Sequence, residues 1–253
     1  MKSLVLFLAI LLAFGASAAE DGTLSLSPAV VMLAGNYGQS TTQTLTLLNG
    51  TSRPFSFDLV AQDVVVRDGK RTFVDAGELA GSIAATAVFS QRRVEVPPGE
   101  STTVTMTVTL PPATSHRAVV ALFRGTNKVM SGNVPMFASL GALLTFTLSP
   151  NVNATATPLS VRPQSAAANL GVTQSLTNAG AEPFVAKGVM AVVDRKGTLV
   201  GKSELRPHRF LPGESAELGG EYAGELAPGA YTVFVTYDYA GRTLTNSAAV
   251  EIP

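Results

Sequence analysis

An all-β chain of two β-sandwich domains in tandem is the fold class that this sequence predicts, and three observations predict it. The four residues Pro98-Gly99-Glu100-Ser101 return as Pro212-Gly213-Glu214-Ser215. Upstream of each copy stands an Asn, four residues, then Pro-Phe: Asn49 with Pro54-Phe55, and Asn178 with Pro183-Phe184. Two paired signatures in the same order mark two copies of one structural unit. Third, Val104, Met106, Val108 and Leu110 alternate with Thr103, Thr105, Thr107 and Thr109. That is the period of a half-buried strand, in residues suited to a pleated surface. Burying the four apolar side chains contributes about 1.5–3 kcal/mol each, before the entropy of ordering them is counted.

Length and composition agree with this reading. A chain of 253 residues has room for two sandwiches of ordinary size. A hydrophobic content of 46% with 14% charged residues fits packed domains and excludes disorder. The formal charge is zero, from 18 basic and 18 acidic residues. That balance offers no basic field for nucleic acid and no polybasic patch for anionic lipid.

The first 18 residues read as a secretory signal peptide, with Lys2 at the start, an apolar run over residues 4–14 and Ala16-Ser17-Ala18 before the cut. The apolar run is too short to span a bilayer, which takes about 20 residues. The expected product is periplasmic or secreted, cleaved after Ala18 and without a membrane span. The chain has no Cys, so no disulfide staples a sandwich, and packing must hold both domains.

The expected domains are residues 19–150 and 159–253, joined by a polar, Thr/Ala-rich linker over 151–158. In the first, residues 23–33 read as an edge strand because Pro28 interrupts them. A strand over 42–48 places Leu45 and Leu47 on one face, and Asn49 to Pro54 is a turn. Phe55, Phe57 and Leu59 alternate along the next strand. Asp68-Gly69 is a hairpin signal between two apolar triplets. The Asn-to-Pro spacing is 49 residues in the first copy and 34 in the second, so the first carries about 15 extra residues. The weakly patterned stretch 75–89, read as a loop or one helical turn, is the place for them. Strands over 117–123 and 140–148 follow, separated by a loop over 124–138. In the second domain, strands are expected over 172–177, 184–193, 197–204, 215–222, 231–239 and 242–252. Asp194 to Gly197 should form a hairpin turn, and Tyr231 a sandwich corner whose hydroxyl bonds back to the backbone upstream.

Catalytic and metal chemistry find no purchase in the pattern. His116 and His208 are the two histidines, with no spacing of zinc ligands around them, and both read as solvated. No nucleophile elbow, phosphate loop or calcium loop occurs. Asp58, Asp63, Asp68, Asp75 and Glu78 read as solvated strand and turn carboxylates. Glu100 and Glu214 recur inside the turn motif, which points to a turn role. The chain is expected to be no enzyme and to need neither metal nor cofactor.

With these motifs placed, the first domain resembles the N-terminal immunoglobulin-like domain of periplasmic pilus-assembly chaperones. The resemblance lies in Asn49, Pro54 and Phe55, in the approach from Phe89 to Glu100 through Pro-Gly-Glu, and in the alternating last strand that ends at Pro150. It implies two immunoglobulin-like domains and exported fibre or pilus subunits as partners. Such chaperones hold their subunits by lending a strand, with main-chain hydrogen bonds for affinity and alternate side chains for register. The resemblance makes Leu140, Ala142, Leu144, Phe146 and Leu148 the lending strand; alternation alone equally allows these residues to face the sandwich's own core. Family members grip a subunit's terminal carboxylate with an Arg on the first strand and a Lys on the last. Here no Arg or Lys occurs between Ala19 and Ser52, and Thr145 stands at the Lys position. The other reading of the chain is an envelope or extracellular module that binds glycan or protein through its loops. That reading predicts two sandwiches with no unpaired apolar edge.

Overall fold

The computed structural model describes residues 22–131, 134–163 and 169–253, and the side chains from 129 to 135 are left out of the description. The expected signal peptide and its expected cleavage site lie outside these residues. No described helix is long and apolar enough to cross a membrane. The strands of the first half are β1 (Leu24–Ser27), β2 (Val30–Ala34), β3 (Ser40–Asn49), β4 (Phe55–Arg67), β5 (Lys70–Asp75), β6 (Val88–Phe89), β7 (Arg93–Val96), β8 (Ser101–Thr109), β9 (Ala118–Gly125), β10 (Val129–Ser131), β11 (Val134–Met136) and β12 (Ser139–Thr147). One sheet has the order β1-β3-β8-β6, and the facing sheet β2-β12-β9-β4-β5, with β7 also on β4. The chain changes sheets between β1 and β2, where Ser27-Pro28 is cis.

The second half supplies β13 (Ala154–Ala156), β14 (Ser160–Pro163), β15 (Leu170–Asn178), β16 (Phe184–Asp194), β17 (Leu199–Phe210), β18 (Ser215–Tyr222), β19 (Gly229–Tyr239) and β20 (Arg242–Ile252). β13 and β14 share one edge of β15, β18 takes the other, and the facing sheet runs β17-β16-β19-β20. Each sandwich has its own core. Phe57, Phe123, Leu45, Leu47 and Met106 are 0% exposed in the first, and Phe210, Met190, Val233 and Tyr237 in the second. The fold is thus all-β, two sandwiches in tandem, as the alternation predicts.

The repeated signatures prove to be one lock, made twice. Asn49 ends β3, and its backbone exchanges two bonds with the Pro-Gly-Glu turn: Asn49 N donates to Glu100 O (2.9 Å), and Gly99 N to Asn49 O (2.7 Å). Asn178 does the same with Glu214 O (2.9 Å) and Gly213 N (2.9 Å). Both side chains are fully buried and reach four residues on, Asn49 Nδ2 to Arg53 O (2.7 Å) and Asn178 Nδ2 to Glu182 O (2.9 Å). Gly99 and Gly213 sit at φ +73° and +77°, where a side chain is strained. Asn is required because one amide must donate and accept at a strand end with no solvent to help.

Three expectations are corrected here. The stretch read as a linker contains β13, whose flanking Val152 and Ala154 are buried in the second core, so these residues are structural members of that sandwich. The loop over 124–138 carries the β10–β11 ladder. Asp63, read as solvated, is 0% exposed, and its carboxylate accepts from Ser82 Oγ (2.5 Å), Ile83 N (2.8 Å) and Ala84 N (3.0 Å). It thereby ties down the start of a 3-10 turn at Ala84–Thr86. The extra residues of the first repeat are those that leave after β5, make this turn, lay β6 on β8 of the opposite sheet and return as β7. In the second repeat one strand, β17, runs along β16 throughout.

Candidate functional site

Pairing fixes the two faces of β12. Ala142, Leu144 and Phe146 point into the first core and are 0%, 0% and 1% exposed; Leu140 and Leu148 are half-buried at its two ends. The expectation of five lent side chains is therefore corrected for the middle three, which the facing sheet already covers. Over Leu143 to Thr145 both edges of β12 are also occupied, by β9 and by parallel β2, which continues alongside to Thr147. Thr145 is fully buried, and its hydroxyl donates to Val31 O (3.0 Å) within the sheet.

The start of β12 is different. Residues Ser139 to Ala142 pair with β9 only, because β2 begins opposite Leu143. Leu143 N donates to Ala29 O (2.9 Å), on the β2 side, while Phe146 N donates to Arg117 O (2.8 Å), on the β9 side. The N–H and C=O of one strand residue point to one side, and successive residues alternate. Ser139 and Gly141 therefore direct their peptide groups away from β9, where no described strand stands opposite them. Just before them, Met136 is 54% and Phe137 58% exposed. An open edge beside large apolar side chains is a template for another strand.

The outer face of the same sheet is apolar. Val30, Leu143 and Val120 form one row across β2, β12 and β9; Met32, Thr145 and Ala118 form the next. Val30 and Met32 are 49% and 41% exposed, whereas Val64, Ala118 and Val120 are covered by Leu211 from the second sandwich. This face thus forms one wall of a cleft between the sandwiches. A hollow of about 390 Å³ opens between Met32, Thr147 and Pro150 on one side and Pro183, Val185 and Ala240 on the other.

Two ion pairs fix the cleft. At its base Arg117 and Glu182 are 9% and 2% exposed, with Arg117 Nε donating to Glu182 Oε2 at 3.0 Å and Nη2 to Oε1 at 3.3 Å. The same carboxylate accepts from Leu148 N (3.0 Å) and Ser149 Oγ (3.2 Å), so it also holds the crossing segment. Higher up, Arg71 on β5 pairs with Glu214 at 2.9 Å and donates from Nη2 to Arg209 O. Ser215 N donates to Gly69 O (2.9 Å) beside it. Burial alone would raise the Glu214 carboxyl, but bonds from His208, Leu211 N–H and Arg71 outweigh it and hold its pKa below the ordinary glutamate value.

Glu214 therefore does more than the turn role expected of it. His208, read as solvated, lies 3.3 Å from Glu214 and edge-on to Phe210, and His116 contacts Ala80 O at 3.1 Å. Among the described residues no group of three or more His, Cys, Asp or Glu converges as a metal site. Sequence reasoning missed Arg117, Glu182 and Arg71. The signal that could have found Glu182 is the repeat itself: it occupies the position of Arg53, with the charge reversed, on an otherwise matching turn.

No family model matches the chain, and no curated protein matches it in sequence. Solved structures similar to it include the class 5 fimbriae chaperone CfaA, at 13% identity, TM-score 0.44, and coverage of 91% of this chain and 100% of that one. The CsuC–CsuE chaperone–tip subunit pre-assembly complex from archaic chaperone-usher Csu pili of Acinetobacter baumannii gives 9% identity, TM-score 0.45, and coverage of 89% and 98%. The Escherichia coli chaperone DraB gives 16%, 0.42, and coverage of 91% and 98%. The assignment of two tandem sandwiches rests on the strand order and the two cores, not on these scores.

Proposed function

We propose that the protein is a non-enzymatic exported chaperone that holds fibre-type subunits by lending them the free edge at the start of β12. The observation that carries this reading is the pair of peptide groups at Ser139 and Gly141 with no described strand opposite them, flanked by exposed Met136 and Phe137. Met136 and Leu140 are the lent side chains, and the apolar outer face around Val30, Met32 and Leu143 seats the subunit. A subunit lacking a strand would gain main-chain bonds to the edge and cover for its own apolar groove. On this reading residues 1–18 are removed on export, 19–150 form the lending domain, and the second sandwich, with Val152 and β13 as members, forms the second wall of the cleft. The alternative, a loop-based envelope module, predicts two sandwiches with no unpaired apolar edge, and the edge beside Met136 and Phe137 speaks against it.

The test is capture of exported subunits by the mature protein, with wild type compared to Met136→Glu, Leu140→Glu and Ser139→Pro. Ser139→Pro removes an edge N–H without touching the bonds to β9. Circular dichroism and thermal melts establish that each variant is folded. Loss of small fibre-type subunits in folded Ser139→Pro and Met136→Glu supports strand lending. Undiminished capture by both would overturn it.

A further inference from the structure

The two sandwiches cover their last strands differently. In the first, the opening strands divide between the sheets, β1 on β3 and β2 on β12, so β2 lies along the last strand. In the second, β13 and β14 both stay on β15, and no described strand takes the corresponding place beside β20. The turn before β20 fixes what that edge presents. Ala240 and Gly241 lie at φ +47° and +75°, a two-residue type I′ hairpin whose flanking pair, Tyr239 and Arg242, exchanges main-chain bonds. Bonded and open pairs alternate from there, so Thr243, Thr245, Ser247, Ala249 and Glu251 point their N–H and C=O away from β19. The hydroxyls of Thr236 and Thr245 meet at 2.9 Å, as side chains of an open pair do. Among the described residues no backbone hydrogen bond reaches the outer side of β20. Edges left to solvent are guarded by Lys, Pro, charges or bulges. The other edge of the same sheet, β17, has all of these: Lys202, Glu204, Arg206, Pro207 and two register shifts against β16. Between Arg242 and Glu251, β20 has none: residues 243–250 are uncharged, and the register with β19 is unbroken.

Independently of strand lending by β12, we propose that β20 pairs antiparallel with β20 of a second copy of this chain, joining two β17-β16-β19-β20 sheets across a two-fold axis. Such a pair must set free peptide groups against free peptide groups, and one face against the same face. A register centred on Ser247 does both and uses all five residues: Ser247 meets the partner's Ser247, Thr245 the partner's Ala249, and Thr243 the partner's Glu251. The side chains at the axis are small and uncharged, and Glu251 arrives beside the partner's Arg242. This self-complementarity is what selects a second copy over another polypeptide. The formal charge of zero sets no repulsion between copies. Because β20 belongs to the second sandwich and β12 to the first, the pairing leaves the start of β12 unused.

The experiment follows the whole mature chain by sedimentation equilibrium over a range of concentrations, as wild type, Ser247→Pro and Ala249→Lys. Ser247→Pro removes an outward N–H and no bond to β19. Ala249→Lys adds an edge charge without touching the main chain. Wild type should pass from monomer to dimer as concentration rises. Each variant that circular dichroism shows to be folded should need about tenfold more protein for the same dimer fraction. The chain has no Cys, so single cysteines report the register. Ser247→Cys should link two copies under mild oxidation with diamide, because the Cα spacing of a hydrogen-bonded pair, about 5.5 Å, suits a disulfide. Thr243→Cys, opposite the partner's Glu251, should not. If Ser247→Pro does not fold, Ala249→Lys and the two cysteine variants decide. A wild type that stays monomeric up to about 1 mM would overturn the pairing, and equal linking of both cysteines would overturn its register. A dimer that survives the β20 variants and is lost in Ser139→Pro would overturn it as well, by placing the contact at β12.

Discussion

Removing the Glu182 carboxylate should loosen the two sandwiches from each other before either melts. The substitution Glu182→Leu keeps apolar volume but strips four donors of their acceptor: Arg117 Nε, Arg117 Nη2, Leu148 N and Ser149 Oγ. Arg117 is 9% exposed and would be left as a buried cation, with only Thr114 O and His116 O to receive it. Breaking a buried pair from one side costs about 3–5 kcal/mol, far more than the loss of a surface pair. Arg117→Met should cost somewhat less, because Leu148 N and Ser149 Oγ still hold Glu182. The double variant should recover much of the loss and retain a deficit of about 1–3 kcal/mol, the cost of the Leu148 N–H left bare. A double-mutant cycle in urea should thus give a coupling of about 3 kcal/mol or more, at the top of the range for residues in contact. Small-angle scattering at low urea should show Glu182→Leu extended while its circular dichroism remains β-rich. Additive single costs, with no change in scattering, would refute the idea that this pair sets the cleft.

Three further predictions follow from single groups. Asn49→Ala removes one amide that donates to Arg53 O, Val96 O and Pro97 O and accepts from Thr51 N and Oγ1; it should cost about 2–4 kcal/mol in urea unfolding. Tyr237 is fully buried with no partner for its hydroxyl, and burial pushes its pKa up to about 12. Its contribution is present below the unfolded value of 10.0 and is lost as pH rises toward 12, so Tyr237→Phe should leave neutral stability within about 1 kcal/mol and flatten the alkaline fall. Glu214, with its pKa held below 4.5, contributes stability above that pH and loses it as pH falls through the folded value; Glu214→Gln should be the less stable protein at neutral pH and should flatten the acid limb, whereas Glu100→Gln, at an exposed copy of the same turn, should leave neutral stability within about 0.5 kcal/mol.

What was legible in the sequence is what each sandwich does for itself. The alternations at Leu45–Leu47, Phe55–Phe57–Leu59 and Val104–Met106–Val108 report burial on one face, and those residues are core. Turn chemistry is equally local: Asp68-Gly69 closes β4 onto β5, Asp194 caps its own turn through Lys196 N and Thr198 N, and Tyr231 reaches back to Ala227 O at 2.8 Å. The excess spacing in the first repeat placed the extra segment correctly. The stretch over 151–158 misled because short polar residues with two buried apolar ones, Val152 and Ala154, look alike in a linker and in an edge strand. β12 misled for a related reason. One alternation runs unbroken from Leu140 to Leu148, but the facing sheet and β2 cover only its later part, and that difference is set by strands distant in sequence.

The cleft was illegible because it is made of the positions at which the two repeats disagree. Asn49 and Asn178 make the same backbone lock, yet the residue each amide holds is Arg53 in one and Glu182 in the other. Arg53 is exposed, and Glu182 is the buried anchor of the inter-sandwich pair. The two Pro-Gly-Glu turns likewise bear one solvated carboxylate, Glu100, and one clasped by Arg71, Glu214. The shared residues of a repeat maintain the unit, so interactions between units fall to the residues that differ. The free edge of β12 obeys the same logic. Its counterpart β20 is also open on the side away from β19, but nothing like the exposed Met136-Phe137 pair precedes it. Exchanging the charges at the repeated position tests this directly. Arg53→Glu should leave stability within about 0.5 kcal/mol, as exposed substitutions do. Glu182→Arg would place two guanidiniums together at the base of the cleft and should cost more than Glu182→Leu.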